Sequence, residues 1–100
     1  MQVLDAQAVE RAGVQDWRFQ DDALHRGFVF EDFAAALAFV VRVGLLAEAR
    51  QHHPEIRNVW SRVELRLNTH DAGGKVTELD LKLAREISAL AARTAGWTAG

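Results

Sequence analysis

The sequence predicts an α+β fold, an antiparallel sheet of about four strands with three helices packed on one face. Two observations carry that prediction. Residues 17–30 and 59–70 alternate apolar and polar side chains, the period of a strand with one buried face. Two longer segments, beginning at Asp32 and Thr77, repeat their apolar residues at helical spacing. With 49% apolar and 26% charged residues, 100 residues suffice for one core, so a single domain over residues 1–100 is expected.

In chain order, Asp5 to Arg11 reads as a brief helix capped by Asp5 and stopped at Gly13. Trp17-Arg18-Phe19, Asp21-Asp22 and the run from Leu24 to Phe30 read as a hairpin. Leu24, Phe28 and Phe30 should face the core, with His25, Gly27 and Val29 on the other side. From the N-cap Asp32, the rows Phe33, Leu37, Val40, Gly44 and Ala36, Phe39, Val43, Leu46 make a broad apolar stripe. Pro54 should end this helix, because its ring drives His53 out of the α region. His52 then lies at the helix end, on one face with Glu48 four residues earlier.

Beyond a short polar link, Val59, Val63, Leu65 and Leu67 face a core, while Trp60, Arg62, Glu64, Arg66, Asn68 and His70 share the opposite face unless a bulge shifts the parity. The run is either one long strand or two, the Pro54 link serving as a partial strand. Asp71-Ala72-Gly73-Gly74 is a turn. Thr77 and Asp80 resemble a capping box, heading a helix whose buried row is Leu79, Leu83, Ile87 and Leu90. Arg93 to Gly100 has no period and is expected to fray.

Composition narrows the function classes. Twelve basic and fourteen acidic residues are scattered without a Lys/Arg cluster, which argues against direct nucleic-acid binding. Cysteine is absent, removing disulfides, thiolate nucleophiles and zinc-thiolate sites. The first residues lack the charged and apolar regions of a signal peptide. The longest near-apolar run, Phe33 to Val41, is half of the roughly 20 residues a bilayer needs. A cytoplasmic protein without membrane association is expected.

The chemistry-bearing residues are His52, His53 and His70, with Glu48, Pro54, Trp60 and Asp80 around them. Each has a plain structural reading when taken singly. Histidine suits a helix C-terminus for its interaction with the dipole, Asp80 suits a first helical turn, His70 suits a solvated strand end and Trp60 suits packing. His25 matches no constellation and reads as a surface residue. The composite is more specific: Glu48, then His52-His53-Pro54, Trp60, His70 and Asp80 at fixed offsets. With Trp17, Phe28-Val29-Phe30, Asp32-Phe33, Thr69-His70-Asp71, Gly73-Gly74 and Thr77-Glu78-Leu79-Asp80, it resembles the pterin-4a-carbinolamine dehydratase family, also called dimerisation cofactors of a homeodomain transcription factor. The resemblance covers Trp17 to Leu90. It departs at Lys75-Val76, where many members have one apolar residue, and at Asp16, where glycine is common.

The resemblance implies a hydro-lyase that removes water from 4a-hydroxytetrahydrobiopterin to give quinonoid dihydropterin, in tetrahydrobiopterin recycling. The pterin is the substrate, and neither a further cofactor nor a metal is implied. Elimination needs a base for the ring-nitrogen proton beside C4a and an acid for the departing hydroxyl, and imidazoles serve both roles near neutral pH. His52 and His70 are expected to be the acid/base pair and His53 to bind the hydroxylated edge. Glu48, Pro54, Trp60, Asp80 and Trp17 would support the site or bind substrate. The helix end and Glu48 both favour imidazolium at His52, making it the candidate acid. Homodimers or homotetramers and a functional link to an aromatic amino acid hydroxylase are further implications. Two rivals remain: a non-catalytic coactivator or assembly factor of the same fold, and a metallohydrolase built on Glu48, His52 and His70.

Overall fold

A computed structural model describes residues 1–100. Its elements are helix α1 (Ala6–Ala12), strands β1 (Arg18–Gln20) and β2 (Ala23–Phe30), helix α2 (Phe33–Ala49), strands β3 (Glu55–Val59) and β4 (Arg62–Leu67), a 3-10 turn (His70–Ala72), helix α3 (Glu78–Ala92) and strand β5 (Trp97–Ala99). All strand pairings are antiparallel, in the order β1-β2-β4-β3. β4 occupies one edge of β2, so β1 along Ala23–His25 and β5 along Phe28–Phe30 share the other in succession.

One sheet face is covered. Leu24 and Phe28 of β2 and Val63, Leu65 and Leu67 of β4 meet Val9 of α1, Ala36, Phe39 and Val43 of α2, and Leu83, Ala84 and Ile87 of α3 in a single buried cluster. The predicted helix starts hold, because Asp5, Asp32 and Thr77 each accept a backbone N–H of the first turn. Asp21 and Asp22 both take positive φ, as a two-residue hairpin turn demands.

The sheet has five strands rather than about four, because the C-terminal tail does not fray. The Trp97 ring meets Phe28 edge-on at 5.0 Å and its indole N–H donates to the Ala91 carbonyl at 2.9 Å. The Gly100 N–H donates to the Gly27 carbonyl at 3.0 Å. Glycine is required at Gly27, since a Cβ there would lie 2.6 Å from the Gly100 oxygen. A three-residue strand is too short to show alternation, so its sequence reads as loop.

One open alternative is decided and parts of three expected faces, Val59 and the rows of α2 and α3, are corrected. The run after Pro54 is two strands, the second of the expected alternatives, with the link after Pro54 forming β3 from Glu55 and with Trp60 and Ser61 at the hairpin tip; Val59, expected in the core, is 52% exposed. In α2 the buried row is Ala36, Phe39, Val43 and Ala47, and Phe33 and Leu37 face outward with Val41 and Leu45. In α3, Leu79 is exposed and Leu90 half-buried, while Asp80, Leu81, Ala84 and Ala91 join Leu83 and Ile87 inside. The expected rows thus hold in part, Ala36, Phe39 and Val43 of α2 and Leu83 and Ile87 of α3 being buried as expected.

Candidate active site

Helix α2 ends before Pro54 acts. Gln51 adopts a left-handed conformation with φ 53, its N–H donates to the Glu48 carbonyl at 3.1 Å, and the His52 N–H donates to the Ala47 carbonyl at 3.2 Å. This is the double closure by which helices terminate on a left-handed residue. His52 is thus not on the last helical turn with Glu48, as the spacing implied, but beyond it. Arg50, the C-cap, fixes this end to α3 through its Nε, which donates to the two Glu86 oxygens at 2.9 and 2.7 Å. That hydrogen bond, more than the charge itself, raises the Arg50 guanidinium and lowers the Glu86 carboxyl from their ordinary values.

The reversal carries the His52 imidazole to the N-terminus of α3, where its Nε2 lies 2.6 Å from Asp80 Oδ1. Asp80 is fully buried. Its other oxygen, Oδ2, accepts the Thr77 backbone N–H at 2.9 Å and the Thr69 hydroxyl at 2.8 Å. The Thr69 and Thr77 hydroxyls are 2.7 Å apart. Because Thr69 spends its one hydrogen on Asp80, the Thr77 hydroxyl is the donor of that pair. An ionised carboxylate only accepts, so Nε2 of His52 carries a hydrogen and Nδ1 is the nitrogen left for other partners. No buried side-chain nitrogen or oxygen lacks a partner. Asp80 therefore caps α3 and orients His52 with the same carboxylate.

His53 leaves in another direction. Its side chain is 62% exposed, and its Nε2 lies 2.9 Å from Glu48 Oε1. The expected Glu48–His52 face is replaced by a Glu48–His53 pair, since the left-handed turn at Gln51 rotates His52 away. Pro54 is half-buried between His53 and β3. His70 is exposed at the first position of the 3-10 turn, directly after Thr69. That turn is pinned, with Gly73 and Gly74 at positive φ, the Thr69 N–H donating to the Lys75 carbonyl at 2.8 Å and the Asn68 amide donating to the Gly74 carbonyl at 3.1 Å. The departing segment does not displace Asp80: Val76 is buried and its carbonyl accepts the Leu4 N–H at 2.8 Å, while Lys75 reaches Asp22 at 2.7 Å. At the other departure, Asp16 takes a positive φ of 71, the conformation glycine adopts without cost.

The structure brings His52, Asp80, Thr69 and Thr77 into one hydrogen-bonded chain, sets His70 next to Thr69 in sequence, and couples His53 to Glu48. Two expected members stand apart. Trp60 is 83% exposed at the β3–β4 tip, and Trp17 is buried in the core with its indole N–H donating to Ser88 Oγ at 2.9 Å. No three His, Asp or Glu side chains converge as metal ligands do, and Glu48 faces His53 instead of completing a set with His52 and His70. Thr69, which the sequence reading gives no site role, joins the site, and a signal for it exists: it continues the parity of Val63, Leu65 and Leu67 into the core, and a polar residue at a buried position needs a partner.

Over residues 2–90 the chain matches the family model for pterin 4 alpha carbinolamine dehydratase. The chain belongs to the pterin-4a-carbinolamine dehydratase family. A relative from Rhizorhabdus wittichii, provisionally named as such a dehydratase, is 53% identical over 78 residues, covering 76% of this chain and 79% of its own. A Bradyrhizobium diazoefficiens protein with the same provisional name is 50% identical over 86 residues, covering 84% and 85%. Among solved structures, a transcriptional coactivator/pterin dehydratase from Brucella melitensis superposes with a TM-score of 0.81 at 37% identity, over 90% of this chain and 99% of that one. A pterin dehydratase-like protein identified as a RuBisCO assembly factor in the alpha-carboxysome aligns at a TM-score of 0.65 and 26% identity, over 77% and 90%. The family thus pairs a dehydratase name with members described by their protein partners, and the histidine geometry bears on which description fits this chain.

Proposed function

We propose that this chain is a 4a-hydroxytetrahydrobiopterin dehydratase acting in tetrahydrobiopterin recycling, with the pterin as its only small-molecule requirement. The observation that carries the reading is the fixed His52–Asp80 pair beside the Thr69-His70 turn. In the reaction the C4a–O bond breaks, the N5 proton is removed, a C=N bond forms between them and the hydroxyl departs as water; no electron is gained or lost overall. His52 and His70 divide the two proton transfers. His52 keeps Nε2 on Asp80 and works through Nδ1, while His53, steadied by Glu48, binds the hydroxylated edge of the pterin. Positioned acid/base groups of this type give about 10²- to 10⁴-fold per transfer. Trp60 and Trp17 fall outside this assignment, Trp17 serving the core.

We further infer self-association. Phe33, Leu37, Val41 and Leu45 are spaced four apart on α2 and are 52%, 43%, 52% and 68% exposed, a continuous apolar strip that a homodimer or homotetramer would cover. The second reading is a non-catalytic scaffold, supported by the assembly-factor neighbour. Following the decay of 4a-hydroxytetrahydropterin separates the two. A dehydratase accelerates the decay in proportion to protein concentration, whereas a scaffold leaves the spontaneous rate unchanged.

A further inference from the structure

The sheet face that carries no helix holds a groove of about 390 Å³ lined by the side chains of Arg18, His25, Arg57, Arg62, Arg66 and two glutamates; Arg26 and Leu65 also border it, but the Arg26 guanidinium reaches Ser88 of α3 and the Leu65 side chain is in the core. In a chain of net charge -2, this is a local excess of positive charge that the scattered sequence positions conceal. Strand register creates it. Arg18 of β1 stands opposite His25 of β2, and His25 stands opposite Arg66 of β4. Two guanidiniums therefore flank an imidazole in one row across three strands, each about 4.8 Å from the next. Arg62 projects from the same face of β4, four residues from Arg66.

The row is only partly compensated from within, by Glu55 of β3, which stands opposite Arg66 at its far end without reaching ion-pair distance. Arg57 pairs with Glu64 at 3.8 Å, but Arg18, Arg62 and Arg66 form no ion pair. Arg18 instead donates to the Gln20 side chain at 2.8 Å, and His25 Nε2 donates to the Gln20 carbonyl at 2.9 Å. Like charges side by side on a sheet cost stability, and planar guanidiniums left free present paired donors that match a carboxylate. We propose that this groove docks an acidic segment of a partner protein, with carboxylates forked onto Arg18, Arg62 and Arg66.

The lining selects that occupant. A small-molecule pocket is predominantly apolar, and this one is not. A nucleic-acid backbone carries evenly spaced phosphates, which would pass Glu55 and Glu64 at close range. Arg62 and Arg66 are four residues apart on β4 with Glu64 between them, about 13 Å along the strand, so an extended peptide with an acidic residue at every fourth position meets both arginines and skips Glu64, which an evenly charged backbone cannot do. None of the lining residues belongs to the histidine site, so docking here is independent of whether the chain is a dehydratase.

The test is a fluorescence-anisotropy titration of the protein with a labelled peptide carrying glutamate at every fourth position and glycine between, at low and physiological salt. Saturable binding that weakens with salt is expected. The pair Arg62→Glu/Arg66→Glu should weaken it at least tenfold, and Arg62→Gln/Arg66→Gln by an intermediate factor. The pair Arg11→Glu/Arg42→Glu, equal in net charge but off the groove, should change it less than twofold. Circular dichroism establishes that each variant is folded, and the glutamine pair carries the test if the glutamate pair is not. Absence of saturable binding, equal weakening by both glutamate pairs, or tighter binding of a single-stranded oligonucleotide of the same length overturns the proposal.

Discussion

Asp80→Asn isolates the carboxylate's role at His52 from its role as a helix cap. The amide oxygen can still accept from the Thr69 hydroxyl and the Thr77 N–H, the two donors now 2.8 and 2.9 Å from Oδ2. The amide nitrogen is then left facing His52 Nε2, where Oδ1 now sits at 2.6 Å. Two donors cannot share that position, so His52 must move its proton to Nδ1, the nitrogen assigned to the substrate. Three charge-assisted hydrogen bonds become neutral ones of about half the strength, a cost of roughly 2–3 kcal/mol. A domain of this size typically has about 5–15 kcal/mol in hand, so the variant folds, with Tm lowered by roughly 10–20 °C. Inverting a catalytic histidine's tautomer in this way costs up to about 10⁴ in kcat in serine-protease triads, and a loss of about 10²- to 10⁴-fold is expected here with little change in KM. Rapid-mixing decay of 4a-hydroxytetrahydropterin gives the rate, and imidazole nitrogen shifts by NMR give the tautomer. An Asp80→Asn variant that is folded and works at the original rate, or that keeps the Nε2–H tautomer, refutes the reasoning.

Glu86 is held below its ordinary carboxylate value by Arg50, so the stability this pair contributes is present above about pH 4.5 and lost as pH falls through the lowered value. Thermal melts should show the original protein above Arg50→Ala at neutral pH, with the gap closing in acid. Gln51→Gly removes the strain of a side chain at φ 53 and should raise stability by about 0.5–1 kcal/mol in chemical denaturation. Val41→Glu/Leu45→Glu places charge on the exposed α2 strip and should shift the protein to monomers in analytical ultracentrifugation; an unchanged sedimentation coefficient places the oligomer contact elsewhere.

Much of the fold was legible because it rests on local chemistry. Asp5, Asp32 and Thr77 announce their helices, Gly73 and Gly74 announce a turn, and Leu24, Phe28 and Phe30 alternate into the core. Long-range pairing was less legible. Nothing in Trp97-Thr98-Ala99 shows that it will find Phe28 to Phe30, and nothing in Trp60 shows that positive φ at a two-residue loop will fold one run of alternation into a hairpin. The same limit governs the site. Glu48 and His52 have helical spacing, but a single left-handed residue, Gln51, exchanges their partners, sending His52 to Asp80 and leaving Glu48 to His53. Asp80 could be read as a cap from Thr77; that its carboxylate also reaches a histidine 28 residues earlier depends on how α2 and α3 pack. The arginine row was hidden for a related reason, since Arg18, Arg62 and Arg66 are brought together only by strand register.

The measurement that bears most directly on the dehydratase assignment is the decay rate of 4a-hydroxytetrahydropterin with His52→Ala, His53→Ala and His70→Ala beside the original protein. The predicted result is near-spontaneous decay with His52→Ala and His70→Ala, and a raised KM with a smaller loss of kcat for His53→Ala. Full activity in the His70→Ala variant contradicts the assignment of the acid/base pair, and decay by the original protein at the spontaneous rate contradicts catalysis altogether.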